Sequence, residues 1–180
     1  MVTALKTSIN ILLVFLFAAC TSVPDERMTP YVDFPETREL TARTLSLDSA
    51  LFRYPYRVRV QDDKAVVLDL HGTEYFFHAF HYPGFHYLSS FGKRGDAPEE
   101  MLSAENLRWN GNFLWTLDSN KSELTRLGFA SSGDSLLRLE AVSLDEELLR
   151  ALDFVQYDDS TFIIPDYSGD SRFCLVSRQG

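Results

Sequence analysis

The stretch Asp62-Asp-Lys-Ala-Val-Val-Leu-Asp69 returns twice along the chain, as Asn110-Gly-Asn-Phe-Leu-Trp-Thr-Leu-Asp118 and as Asp158-Asp-Ser-Thr-Phe-Ile-Ile-Pro-Asp166. Each copy is a turn signal, an apolar run and an aspartate, and the aspartates lie 49 and 48 residues apart. The agreement continues downstream. A polar turn at His71–Thr73 precedes Glu74–Phe80, one at Ser119–Ser122 precedes Glu123–Phe129, and one at Tyr167–Asp170 precedes Ser171–Ser177. Apolar runs separated by turn residues in this way predict hairpins. A short apolar segment comes before each hairpin, at Tyr56–Val60, Leu107–Trp109 and Phe154–Tyr157. A fourth follows the first two, at His86–Phe91 and Leu136–Val142.

Four short antiparallel strands per unit, repeating at this period, match the blade of a β-propeller, whose repeats run to roughly 40–50 residues. The runs Ala65–Leu68, Phe113–Leu117 and Phe162–Ile164 are apolar on both faces, where a sheet with one wet face would alternate. Blades packed face to face hide both sides, and the repeat places Val67, Trp115 and Ile163 at equivalent positions of successive sheets. Pro165 falls at a strand end, where its missing donor costs least. The 14 Phe, 8 Tyr and 2 Trp favour strands over helices. The expected fold is therefore all-β: a partial β-propeller over residues 31–180, with blades of about residues 54–105, 106–152 and an incomplete 153–180. Arg38–Leu47 reads as one more strand. Ser143-Leu-Asp-Glu146 has the capping-box pattern of a helix start, continuing over Glu147–Leu152, and Asp96–Glu105 reads as a loop with a short turn. A closed ring needs about four to eight blades. Two readings stand open: a fragment of a chain about twice as long, and a short protein that assembles with another copy.

The amino terminus has a different character. Lys6 precedes an apolar run from Ile9 to Ala19, interrupted only by Asn10, too short for the roughly 20 apolar residues of a membrane span. A charged start, a short apolar segment and small residues before a cut describe a secretory signal over residues 1–19, expected to be helical. It ends Leu16-Phe-Ala-Ala-Cys20, which resembles the bacterial lipobox. That resemblance implies cleavage before Cys20 and attachment of acyl chains there, making the membrane a partner through Cys20. Two or more chains anchor stably where one does not. Residues 20–30, with two prolines and charges, read as a tether. With Cys20 acylated, Cys174 is the only other cysteine, so stability must come from packing. The formal charge is −9, and residues 1–19 contribute one cation and no acid. So acidic a chain repels phosphate backbones, which speaks against nucleic-acid binding.

With lipobox, tether and blades in place, the chain resembles the six-bladed β-propeller lipoproteins of Bacteroidota, which are TolB-like and NHL-related. The segment Tyr87-Leu-Ser-Ser-Phe-Gly-Lys-Arg-Gly-Asp-Ala-Pro-Glu-Glu-Met101 is similar to the NHL-type link between blades. Asp69 and Asp118 match the aspartate that ends the inner apolar strand of that repeat, and Asp166 matches more loosely because Pro165 precedes it. The resemblance implies architecture and an envelope location, with no common activity attached.

Few residues offer chemistry. Asp69, Asp118 and Asp166 are the weak binding candidates: a ring of carboxylates at one rim would hold a cation or polar ligand. An aspartate at a strand end also accepts hydrogen bonds from turn N–H groups, and that role needs no ligand. His71, His78, His81 and His86 crowd one stretch, but His78 and His81 lie three apart on a strand and face opposite ways, so no metal site is expected. Gly92-Lys-Arg-Gly95 lacks the ending of a phosphate loop, Arg94-Gly-Asp96 is too short a match to carry weight, and Cys174 has no evident activating partner. No catalytic residue and no cofactor is assigned. The functional expectation is an envelope binding or scaffold module for a carbohydrate, a peptide or another envelope protein. The alternative is a propeller enzyme, a metal-assisted lyase or hydrolase acting at the central channel.

Overall fold

In the computed structural model the described residues are 36–45, 47, 50–144, 148, 151–167 and 172–178. The chain divides into Met1–Arg43 and Thr44–Gly180, and every strand belongs to the second unit. Within the first unit, residues 36–43 are exposed and form no strand. The strand expected over Arg38–Leu47 is thus corrected. Its polar residues (Arg38, Glu39, Thr41, Arg43, Thr44) leave too little apolar surface to hold it on a sheet. The signal segment 1–19, Cys20 and its tether, and residues 145–147, 149 and 150 of the link expected to be helical lie outside the described residues.

Eleven strands follow in order: β1 Pro55–Gln61, β2 Lys64–Asp69, β3 Tyr75–His81, β4 His86–Lys93, β5 Asn106–Asn110, β6 Phe113–Asp118, β7 Glu123–Phe129, β8 Leu136–Ser143, β9 Val155–Gln156, β10 Thr161–Pro165 and β11 Phe173–Ser177. They form three antiparallel meanders, β1-β2-β3-β4, β5-β6-β7-β8 and β9-β10-β11. The first two begin with two-residue turns that pair Gln61 with Lys64 and Asn110 with Phe113. Asp62 and Gly111 hold the same place in these turns, at φ 52° and 54°. A primed hairpin turn requires that left-handed conformation, which Asp and Gly tolerate.

The sheets pack face to face. Val66, Leu68, Phe77 and Ala79 of the first meet Leu107, Leu114 and Leu127 of the second. Trp115, Leu117, Leu124 and Val142 of the second meet Phe154, Phe162 and Ile164 of the third. The middle strands β2 and β6 are accordingly buried on both sides, apart from the turn residues Lys64 and Phe113. Register fixes the equivalences: Arg59 pairs with Val66, Arg108 with Trp115, and Val155 with Ile163. The equivalent set is therefore Val66, Trp115 and Ile163. Val67 points to the other face, where it packs with Ala65, Phe80, Ala50 and Phe52. Counting back from the aspartates gives the same one-residue correction. Ile163 is only half-buried, and on its face Leu175 and Phe173 are 73% and 67% exposed.

Between the first two sheets the chain makes a compact link. Gly92 sits at φ 65°, and a β-carbon there would come within 2.6 Å of the Phe77 ring. Any side chain would meet both the backbone cost and this clash. Beyond it, Arg94 bridges to Met101, and Arg94 lays its guanidinium 4.8 Å from the Phe76 ring centre.

Candidate functional site

The three repeat aspartates sit deep in the structure. Asp69 and Asp118 are buried and their oxygens are occupied by main-chain donors. Asp69 accepts from Arg53 N (2.7 Å) and Tyr54 N (2.6 Å), which lie 16 and 15 residues before it. Asp118 accepts from Leu102 N (2.7 Å) and Ser103 N (3.2 Å) at the same two offsets, and also from Ser103 Oγ, Asn120 N and Lys121 N. Each carboxylate therefore clips the segment that leads into its own sheet. Asp118 in addition closes its own turn. Asp166 follows β10, is buried likewise, and donates its N–H to Arg172 O. Asp118, with five donors, has little capacity left for a ligand, and Asp69 is fully buried beneath its two.

The histidines are separate. His81 lies at the surface with Nδ1 3.2 Å from Asp63, and His71 rests near the Tyr54 ring. Among the described residues no three His, Cys, Asp or Glu side chains come together as a metal site. His78 is buried, with Nδ1 2.8 Å from Ser90 Oγ and its ring edge-on to Phe52. Its Nε2 is buried without a partner among the described residues. Burial pushes its pKa down, and the Asp69 carboxylate offsets only part of this. The folded state thus keeps the imidazole neutral, whereas the unfolded chain protonates it near pH 6.5. Below that pH the unfolded state binds the extra proton, so stability falls as pH drops from about 6.5 toward the lowered folded value. His78→Gln is expected to flatten this slope between pH 7.5 and 5 in urea-midpoint measurements; an unchanged slope would refute the assignment.

The first strands of all three sheets, β1, β5 and β9, come together on one side. They line a cleft of about 480 Å³ with Arg59, Val60, Arg108, Trp109, Asn110, Trp115, Phe154, Val155 and Gln156. That size is in the range of small-molecule sites, roughly 300–1,000 Å³. Arg59 donates Nε to Leu107 O at 3.2 Å, tying β1 to β5. Arg108 grips Asp153 with both Nη2 contacts at 2.9 Å and Nε at 3.2 Å. The buried Asn106 donates to the same carboxylate and accepts Leu107 N at 2.8 Å. Burial raises the Asp153 pKa, but the bonds from Arg108, Phe154 N and Asn106 outweigh it and leave the group below its ordinary value.

Three of the buried polar atoms that have no partner among the described residues belong to this side of the molecule: Arg57 Nε, Trp109 Nε1 and Gln156 Oε1. The reading of the sequence did not single out these residues. A signal was present: Arg59 and Arg108 both lie ten residues before a repeat aspartate.

Meandering four-stranded sheets, stacked face to face with their first strands converging on a cleft, define a β-propeller architecture. The model of the TolB-like 6-blade propeller-like family matches residues 33–180, and the chain belongs to that family. A crystal structure of a "putative exported protein" from Bacteroides fragilis NCTC 9343 is similar in fold, with a TM-score of 0.57 at 15% identity. The similarity covers 75% of this chain and 38% of that one, so the chain spans well under half the length of this neighbour. No curated protein matches the sequence.

Proposed function

We propose that the protein is an exported propeller module of the cell envelope, lipid-anchored at Cys20, that binds a ligand in the cleft formed by β1, β5 and β9. The carrying observation is the composition of that cleft. Two indoles, two guanidiniums and two carboxamides converge from all three sheets, without a nucleophile and base in contact. Such a lining recognises and orients more readily than it reacts. The family to which the chain belongs, the exported neighbour and the lipobox at Leu16–Cys20 support the envelope location. Carbohydrates, peptides and other envelope proteins remain the ligand classes.

Expression of the full chain in a Gram-negative host, with an alkyne fatty acid for labelling, tests the anchor. The wild type is expected in the membrane fraction and labelled. Cys20→Ser is expected to be unlabelled and released from membranes, because acyl chains supply about 0.8 kcal/mol per buried methylene. Equal partitioning of the two proteins would overturn lipid anchoring at Cys20.

A further inference from the structure

We propose that the cleft of β1, β5 and β9 takes a small organic oxyanion, a carboxylate or phosphate carried on a compact body, held by Arg59 and Arg108, with Arg57 adding positive charge beside the cleft on β1. The inference rests on reading the cleft as a ligand site and adds the class of ligand.

The charge distribution carries it. The chain as a whole is acidic, at −9, yet three guanidiniums gather at the first strands. Arg57 and Arg59 alternate on β1 and so face the same way, toward β5. Neither has a carboxylate within ion-pair distance among the described residues. Arg57 rests 4.9 Å from the Tyr56 ring centre with Nε buried and unpartnered, and Arg59 reaches only the Leu107 carbonyl. Arg108 is paired, and Asp153 is the one carboxylate in the group. Three cations against one anion leave an excess of two positive charges. Burial, followed by the like charges of Arg57 and Arg108, lowers the Arg59 pKa, and the Asp153 carboxylate offsets only part of this. The planar guanidinium fork matches the oxygens of carboxylate and phosphate. Trp109, Val60 and Val155 offer apolar surface for the body that carries the anion, and Asn110 and Gln156 offer polar groups to orient it.

The chain's two tryptophans both line the cleft, so intrinsic fluorescence reports occupancy directly. Three probes share one sugar body: D-glucuronate, D-glucose 6-phosphate and D-glucose. Titrated into the full chain at low salt, one or both anions are expected to bind about tenfold or more tightly than D-glucose, and to weaken as salt is added. The two anions against each other decide between carboxylate and phosphate. Arg59→Gln should lose about tenfold in affinity, Arg59→Lys and Arg57→Gln less, and the remote surface change Arg172→Gln nothing. Thermal melts of each variant separate lost binding from lost folding. D-Glucose binding as well as the anions would overturn the oxyanion assignment while leaving a ligand site in the cleft. Silence from all three probes would overturn the assignment outright, and the membrane fractionation above judges the envelope reading independently.

Discussion

Asp118→Ala is expected to lower the unfolding free energy by about 3–5 kcal/mol, because several donors lose their acceptor at once and each buried one left unsatisfied costs about 1–3 kcal/mol. The side chain is 1% exposed and accepts five hydrogen bonds, four of them from main-chain N–H groups. Alanine strands the Ser103 donors in a buried setting and leaves those of Leu102, Asn120 and Lys121 to water. Asp118→Asn keeps one oxygen and is expected to lose less. Asp69→Ala, with two donors to strand, should fall between them. Denaturant unfolding of the full chain measures all three. A loss below about 1 kcal/mol for Asp118→Ala, the worth of an ordinary hydrogen bond, would show that the clip does not hold the second sheet to its entry segment. The same variants bear on function, since a rim carboxylate kept for a ligand would affect binding and leave stability nearly unchanged.

The sheets were legible in the sequence because they follow from short-range physics. Turn residues at Asp62-Asp63 and Gly111-Asn112, apolar runs of strand length, and three copies at nearly equal spacing determine hairpins without any knowledge of distant contacts. All five flanking strands were predicted within a few residues, including the very short β9 at Val155–Gln156. Burial on both faces of β2 and β6 was legible for the same reason: a run such as Ala-Val-Val-Leu has no wet side to offer. Arg38–Leu47 was misread because Leu40 and Ala42, and then Leu45 and Leu47, each alternate with polar residues and imitate an edge strand, and no local signal reports whether a partner exists.

The cleft was not legible as a site, and the reason is geometric. Arg57 and Arg59 alternate with Tyr56, Val58 and Val60, the pattern of an ordinary half-wet strand. Only the packing of the first strands side by side, with Arg59 donating to the Leu107 carbonyl, turns that polar face into a wall shared with Arg108. The aspartates misled in the opposite direction. One carboxylate per repeat suggests a ring of ligands when read along the chain. In space, Asp69 and Asp118 reach back 15 and 16 residues to the main chain that enters their sheet, an offset that no hairpin pattern encodes.

Trp115→Ala should be comparably damaging, at about 3–5 kcal/mol for a buried large-to-small change of this kind. The indole is 2% exposed and stands where the second sheet meets the third. It meets the Phe162 ring edge-on at 4.7 Å, with the guanidiniums of Arg126 and Arg178 5.9 and 5.8 Å from it. Those two arginines converge on Glu140, so one side chain organises both the apolar contact and the ionic bridge between the sheets. The third sheet has one packed face and one largely open face, so its attachment depends on this contact more than the second sheet depends on any single residue. Hydrogen exchange therefore discriminates better than a global melt. In Trp115→Ala the amides of β9–β11 should lose protection ahead of β1–β4, while Trp115→Phe should retain most of it. Uniform loss across all three sheets would mean that they unfold as one cooperative unit, and that the boundary at Trp115 is no weaker than the hydrophobic layer between the first two.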